Sequence, residues 1–176
     1  MNKALTQSVC LPSDPQEQQL FELADQLGQL LAAKGLRFSC AESCTGGGIA
    51  YAITSVAGSS AWFDKSWVTY ANEAKQIELG VDAATLDSFG AVSAQTAEQM
   101  VRGVQQQSNA QVAVSVTGIA GPGGGSVDKP VGLVWFGFYI DGAEQIVAQQ
   151  FVGDRSQVRR QAIAFVLANL IEQLVA

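Results

Sequence analysis

The stretch from Leu36 to Ile53 constrains this chain more than any other. Leu36 to Ala41 is a short apolar run and reads as a buried strand. Glu42, Ser43, Cys44 and Thr45 follow, then the consecutive glycines Gly46, Gly47 and Gly48. Ile49-Ala50-Tyr51-Ala52-Ile53 then reads as a helix. A strand that turns tightly into a helix brings the first helical N–H groups to the carboxyl end of a sheet, facing a cleft. Such donors suit a phosphate or a developing oxyanion. The turn is not a P-loop, because no Gly-Lys-Ser/Thr closes it, and its glycines are too close together for the dinucleotide fingerprint. The ordinary alternative is a plain tight turn with a capping Ser or Thr.

A chain of 176 residues with 48% hydrophobic content supports one domain with a real core. That domain is expected over 15–176, behind an N-terminal tail at 1–14. A net charge of −6 argues against non-specific nucleic-acid binding, which needs a basic face. The absence of histidine excludes Ser-His-Asp and Cys-His mechanisms and weakens any zinc site, so no metal or cofactor is expected. Cys10, Cys40 and Cys44 match no metal motif and read as reduced thiols of a cytoplasmic protein. Met1 to Ser13 carries no apolar run of the signal-peptide kind, and no segment is long enough to span a membrane.

In chain order, Asp14-Pro15 reads as a helix start, with Leu20, Leu23, Leu27, Leu30 and Leu31 on one face and Gly35 ending it. After the Gly-rich turn, Ala61-Trp62-Phe63 is expected to pack beneath it, and Ser66 to Tyr70 reads as a strand. Asn72 is expected to cap a helix that ends at Gly80, and Asp82 to Phe89 reads as another. Ser93 caps a further helix whose inner face is Ala97, Met100, Val101 and Val104. Gln111 to Val116 reads as a strand that runs into a second Gly-rich loop, Thr117 to Gly125. Val131–Ile140 and Glu144–Val152 flank Asp141-Gly142, a strong hairpin signal. A last helix starts at Gly153–Ser156. This order predicts an α/β fold: three α/β/α layers, with a mixed central sheet covered by helices on both faces.

Without histidine, a serine nucleophile needs another base, and lysine is the usual substitute. Ser43 lies in the strand-to-helix turn. Lys75 falls in the first turn of a predicted helix, where the helix dipole and burial favour its neutral form. Tyr70 just precedes that helix and is placed to relay a proton or fix the lysine. The rival nucleophile is Cys44 with Glu42 as base, an amidase acting on another carboxamide. A third reading is a non-catalytic nucleotide-binding module that uses the two Gly-rich loops. Arg155, Arg159 and Arg160 cluster at the start of the last helix and suggest an anionic small ligand in an otherwise acidic chain.

Several motifs resemble the CinA C-terminal-domain family. They are Ala41-Glu42-Ser43-Cys44-Thr45-Gly46-Gly47, Val68-Thr69-Tyr70-Ala71-Asn72-Glu73-Ala74-Lys75, Gly90-Ala91-Val92-Ser93 and Val116-Thr117-Gly118-Ile119-Ala120-Gly121-Pro122. Lys129-Pro130-Val131-Gly132 and Gly153-Asp154-Arg155 extend the match. The resemblance implies hydrolysis of nicotinamide mononucleotide to nicotinate mononucleotide and ammonia, by a Ser–Lys–Tyr group that maps onto Ser43, Lys75 and Tyr70. It also implies a homo-oligomer, with a dimer as the expected state. The expected substrate-binding set is Glu42, Thr45, Gly46, Gly47, Asn72, Thr117, Gly118, Ile119, Ala120, Gly121, Arg155 and Arg159. The chain departs from the family at Ala71, where Ser is usual, and at Ser66-Trp67, where Gly and an apolar residue are usual.

Overall fold

A computed structural model describes residues 14–108 and 110–175. The expectations for Cys10 and for the polar N-terminus through Ser13 lie outside the described residues.

Among the described residues, five strands form one sheet in the order β2-β1-β3-β4-β5. Strands β1 (Phe38–Glu42), β2 (Phe63–Val68) and β3 (Val112–Gly118) run parallel. Strands β4 (Leu133–Ile140) and β5 (Ala143–Gln150) form the expected antiparallel hairpin beside β3. Asp141 and Gly142 both take positive φ at its turn, as a two-residue hairpin whose twist matches its strands requires.

The pleat divides the core in two. Phe38 and Cys40 of β1, with Val112, Val114 and Val116 of β3, face α1 (Glu17–Lys34), α2 (Gly48–Thr54) and α6 (Arg155–Val175). Ala41 and Ala113 face the other way, toward α5 (Ala94–Ser108). The short helices α3 (Asn72–Leu79) and α4 (Ala83–Phe89) pack on α5. Strands β1 and β3 are buried on both faces because each lies between two neighbours and under helices on either side. The three layers are those the sequence predicts.

Local details differ. The first helix starts at Glu17, because Gln16 and Gln19 close a reciprocal capping box. Asp14 does not cap it and instead pairs with Arg160 of α6. Strand β2 begins at Phe63, three residues early, after a single 3-10 turn at Ser59–Ala61. Trp62 does not lie under the Gly-rich turn but packs across Gly28 of α1, where any β-carbon would collide with its ring. Helix α3 is capped by Ala71 without a side-chain hydrogen bond, and Asn72 is its first helical residue.

Candidate active site

The carboxyl ends of β1, β2 and β3 open together because these strands are parallel, and the segment after each enters one cleft. Ser43 follows β1, Tyr70 and Lys75 follow β2, and the loop from Ile119 follows β3. The cleft wall includes Ser43, Cys44, Tyr70, Lys75, Ala91, Val92, Thr117, Gly118, Ile119, Ala120, Gly121 and Arg155.

Lys75 is the fourth residue of α3 and is wholly buried. Helical side chains lean toward the helix N-terminus. This carries Nζ back to the segment preceding its own helix, 2.7 Å from the Thr69 carbonyl and 3.2 Å from that of Tyr70. Ser43 Oγ lies 3.2 Å from the same nitrogen. Burial pulls the Lys75 ammonium below its usual range. A neutral amine has two N–H groups, which the two carbonyls accept, and one lone pair, which Ser43 O–H can enter. The local geometry therefore fits a base directed at the serine.

The Ser43 turn is fixed by main-chain bonds: Ser43 N–H donates to Val116 O at 3.0 Å and Gly46 N–H to Ser43 O at 3.1 Å. Gly46 and Gly47 both adopt positive φ, so the turn needs residues without a β-carbon. At Gly48 a β-carbon would lie 2.4 Å from Ile163 Cδ1, so glycine lets α2 seat on α6.

Glu42 does not face the cleft. It is wholly buried and accepts the N–H groups of Ile49 and Ala50, at 3.0 and 2.9 Å. The first helical donors of α2, expected to face a ligand, are thus satisfied from inside the protein. Thr45 is buried, and its carbonyl receives Arg159 Nη2 at 2.8 Å. Gly46, Gly47, Arg159 and the exposed Asn72 likewise form no part of the cleft wall. Arg159 misses it because it is one helical turn beyond Arg155 and lies behind the turn instead. Arg155 does reach the cleft, with Nη1 2.9 Å from Gly121 O and Nη2 2.8 Å from Tyr70 Oη. Thr117 also lines it, but its hydroxyl is spent on Ala91 O at 2.7 Å.

Cys44 touches the cleft, yet burial pushes its thiol up to about 12. Such a thiol is protonated near neutral pH and a poor nucleophile. Ala91 and Val92 form an apolar wall that was not among the expected site residues. Their signal was the motif Gly90-Ala91-Val92-Ser93, which carried the family resemblance but was given a structural role only at Ser93, the cap of α5, whose Oγ accepts Thr96 N–H.

Among the described residues, no helix is long and apolar enough to cross a membrane. A family model for the CinA C-terminal domain matches residues 20–174. The chain is 54% identical over 160 residues to nicotinamide-nucleotide amidohydrolase PncC of Enterobacter agglomerans, covering 90% of this chain and 98% of that one. The Escherichia coli (strain K12) protein of the same name is 48% identical, over 90% of this chain and 97% of its own. The crystal structure of competence/damage inducible protein CihA from Agrobacterium tumefaciens superposes with a TM-score of 0.85 at 42% identity, covering 94% of this chain and all of that one. Cleft, layer order and sequence agree, and the chain belongs to the CinA C-terminal-domain family.

Proposed function

We propose that this chain is a nicotinamide-nucleotide amidohydrolase, which converts nicotinamide mononucleotide and water to nicotinate mononucleotide and ammonia by a serine nucleophile with a lysine base. The reaction class rests on the relatives that carry that name. The roles rest on one observation: a buried lysine nitrogen 3.2 Å from a serine oxygen at the wall of a cleft.

In this mechanism Lys75 Nζ takes the Ser43 proton as Oγ attacks the carboxamide carbon. The carbonyl oxygen becomes an oxyanion. The donors this reading assigns to it are the N–H groups of Thr45 and Gly47, which have no protein acceptor among the described residues and, since neither residue lines the cleft, would act from behind Ser43 and Cys44. A well-placed donor of this kind contributes about 3 kcal/mol. Collapse breaks the C–N bond, and the departing nitrogen leaves as ammonia with the proton that Lys75 took from Ser43; Tyr70 meets Lys75 through its carbonyl, while its hydroxyl rests on Arg155. Water then attacks the nicotinoyl ester, gives its proton to Lys75, and Ser43 recovers its hydrogen. Ala91 and Val92 offer the pyridine ring an apolar face, and Arg155 offers the phosphate a cation beside the Ile119–Gly121 loop.

The test is ammonia release from nicotinamide mononucleotide by the wild-type protein, Ser43→Ala and Lys75→Ala, alongside nucleotide binding. Turnover lost in both variants, with binding retained, is expected. Near-normal turnover by Ser43→Ala would sink the serine mechanism, and binding without turnover in the wild type would favour a binding module.

A further inference from the structure

The segment that carries Ser43 is anchored by a carboxylate that never meets the cleft. Glu42 ends β1 with both oxygens on the second and third N–H groups of α2. Its carbonyl accepts Thr69 N–H at 3.0 Å, and the Thr69 carbonyl in turn receives Lys75 Nζ. One residue thereby touches the frames of both partners of the Ser43–Lys75 pair: α2 on one side, the segment before α3 on the other. No Lys or Arg forms an ion pair with Glu42 among the described residues. A carboxylate buried without a counter-charge is costly unless hydrogen bonds replace its water. Here the positive end of α2 and two amide donors do so. A neutral acceptor would cap the helix at far lower cost, so capping alone does not explain an acid at this position.

We infer that Glu42 is a positioning residue for the amidase reaction, a reading that rests on the proposed function. Its carboxylate locks the start of α2 against the end of β1 and holds the intervening Ser43 turn at the distance from Lys75 that proton transfer needs. A glutamine keeps the size but presents one acceptor and one donor, so one N–H of Ile49 or Ala50 would meet another N–H. An aspartate keeps the charge but is one methylene short.

Steady-state kinetics of Glu42→Gln and Glu42→Asp, with hydrogen exchange at the Ile49 and Ala50 amides, test this. For Glu42→Gln, kcat is expected to fall about 10- to 100-fold, as a shift of an ångström or less at reacting atoms can cause. KM should stay within about threefold, and exchange at the two amides should quicken by roughly tenfold, the counterpart of about 1.4 kcal/mol. Glu42→Asp keeps the buried charge and serves if the glutamine variant does not fold; its kcat should also fall. A wild-type kcat in folded Glu42→Gln would reduce Glu42 to a structural cap and overturn the inference. A rise in KM at constant kcat would instead put the side chain on the substrate. A wild-type protein that releases no ammonia would overturn the amidase reading itself. Amide exchange then judges the clamp alone, and unchanged exchange in the variant removes it.

Discussion

Arg155 Nη2 lies 2.8 Å from Tyr70 Oη, so the first residue of α6 reaches across the cleft to the segment that precedes α3. Its other terminal nitrogen holds the Gly121 carbonyl. A phosphate entering here would find a guanidinium already oriented by two neutral acceptors, which a doubly charged anion readily replaces. Replacing Arg155 by Ala should therefore raise KM for nicotinamide mononucleotide. A hydrogen bond to a charged group is worth about 1.5–3 kcal/mol, which converts to roughly 10- to 100-fold. Nicotinamide riboside, which lacks the phosphate, should be turned over by wild type and variant with nearly equal KM. An equal loss for both substrates would show that Arg155 does not read the phosphate.

Lys75 should set the acid limb of the pH profile. Burial lowers its pKa from 10.5, and only the neutral amine can take the serine proton. Plotted against pH, kcat/KM should rise through an inflection below 10.5. In the Lys75→Met variant the residual rate should lose that inflection and fall by about 10²–10⁴. Stability carries the same sign. The unfolded chain binds the lysine proton more tightly than the folded one, so stability rises with pH between the depressed folded pKa and 10.5. Chemical denaturation should find the stability of wild type relative to Lys75→Met increasing across that window. A flat difference would mean that the amine is not desolvated as its burial implies.

Ala71 gives a prediction confined to stability. It occupies the N-cap of α3 in extended conformation and offers no side-chain oxygen to the helix. Ala71→Ser should supply an acceptor for a first-turn N–H and stabilise the protein by about 1 kcal/mol. For a chain of this size that is roughly 2–4 °C in Tm. Turnover should stay within about twofold, since Ala71 is not on the cleft wall. Differential scanning calorimetry decides it: an unchanged or lower Tm would show that the helix start is held by something other than its cap.

Asp14 and Arg160 tie the segment before α1 to the first turns of α6. Hydrogen bonds from Arg160 hold the Asp14 carboxyl below its usual 3.8. The bond therefore stabilises the fold above that value and is lost as pH falls through the depressed folded pKa. Asp14→Asn should lower Tm at neutral pH, with the deficit closing at strongly acid pH. A deficit that persists there would point to lost packing in place of lost charge.

How much of this was legible beforehand depends on the range of the interaction. Local signals carried well: Gly35 and Gly80 ended their helices, Asp141-Gly142 turned its hairpin, and the inner face of α5 was buried as its spacing required. Elimination singled out Ser43 and Lys75, because a chain without histidine has few bases, and the structure brings their side chains to 3.2 Å. Side-chain direction at segment ends was not legible. Glu42 looked like a cleft residue because it adjoins Ser43, but strand alternation turns it toward α2. Arg155 and Arg159 were indistinguishable in sequence, and only the docking of α6 sends one to the cleft and the other behind the Ser43 turn. Asp14 looked like a cap because its true partner lies 146 positions along the chain.

The order of the strands has a consequence for how such a protein fails. Ser43 hangs from β1, held between two neighbours, whereas Lys75 hangs from β2, which among the described residues has a neighbour on one side only. Outer strands separate before inner ones as a sheet loosens. Under gentle denaturation the base should drift from its serine while most of the sheet is still paired. Catalysis would then be extinguished ahead of the circular dichroism signal, making turnover a gauge of one sheet margin and not of the whole molecule.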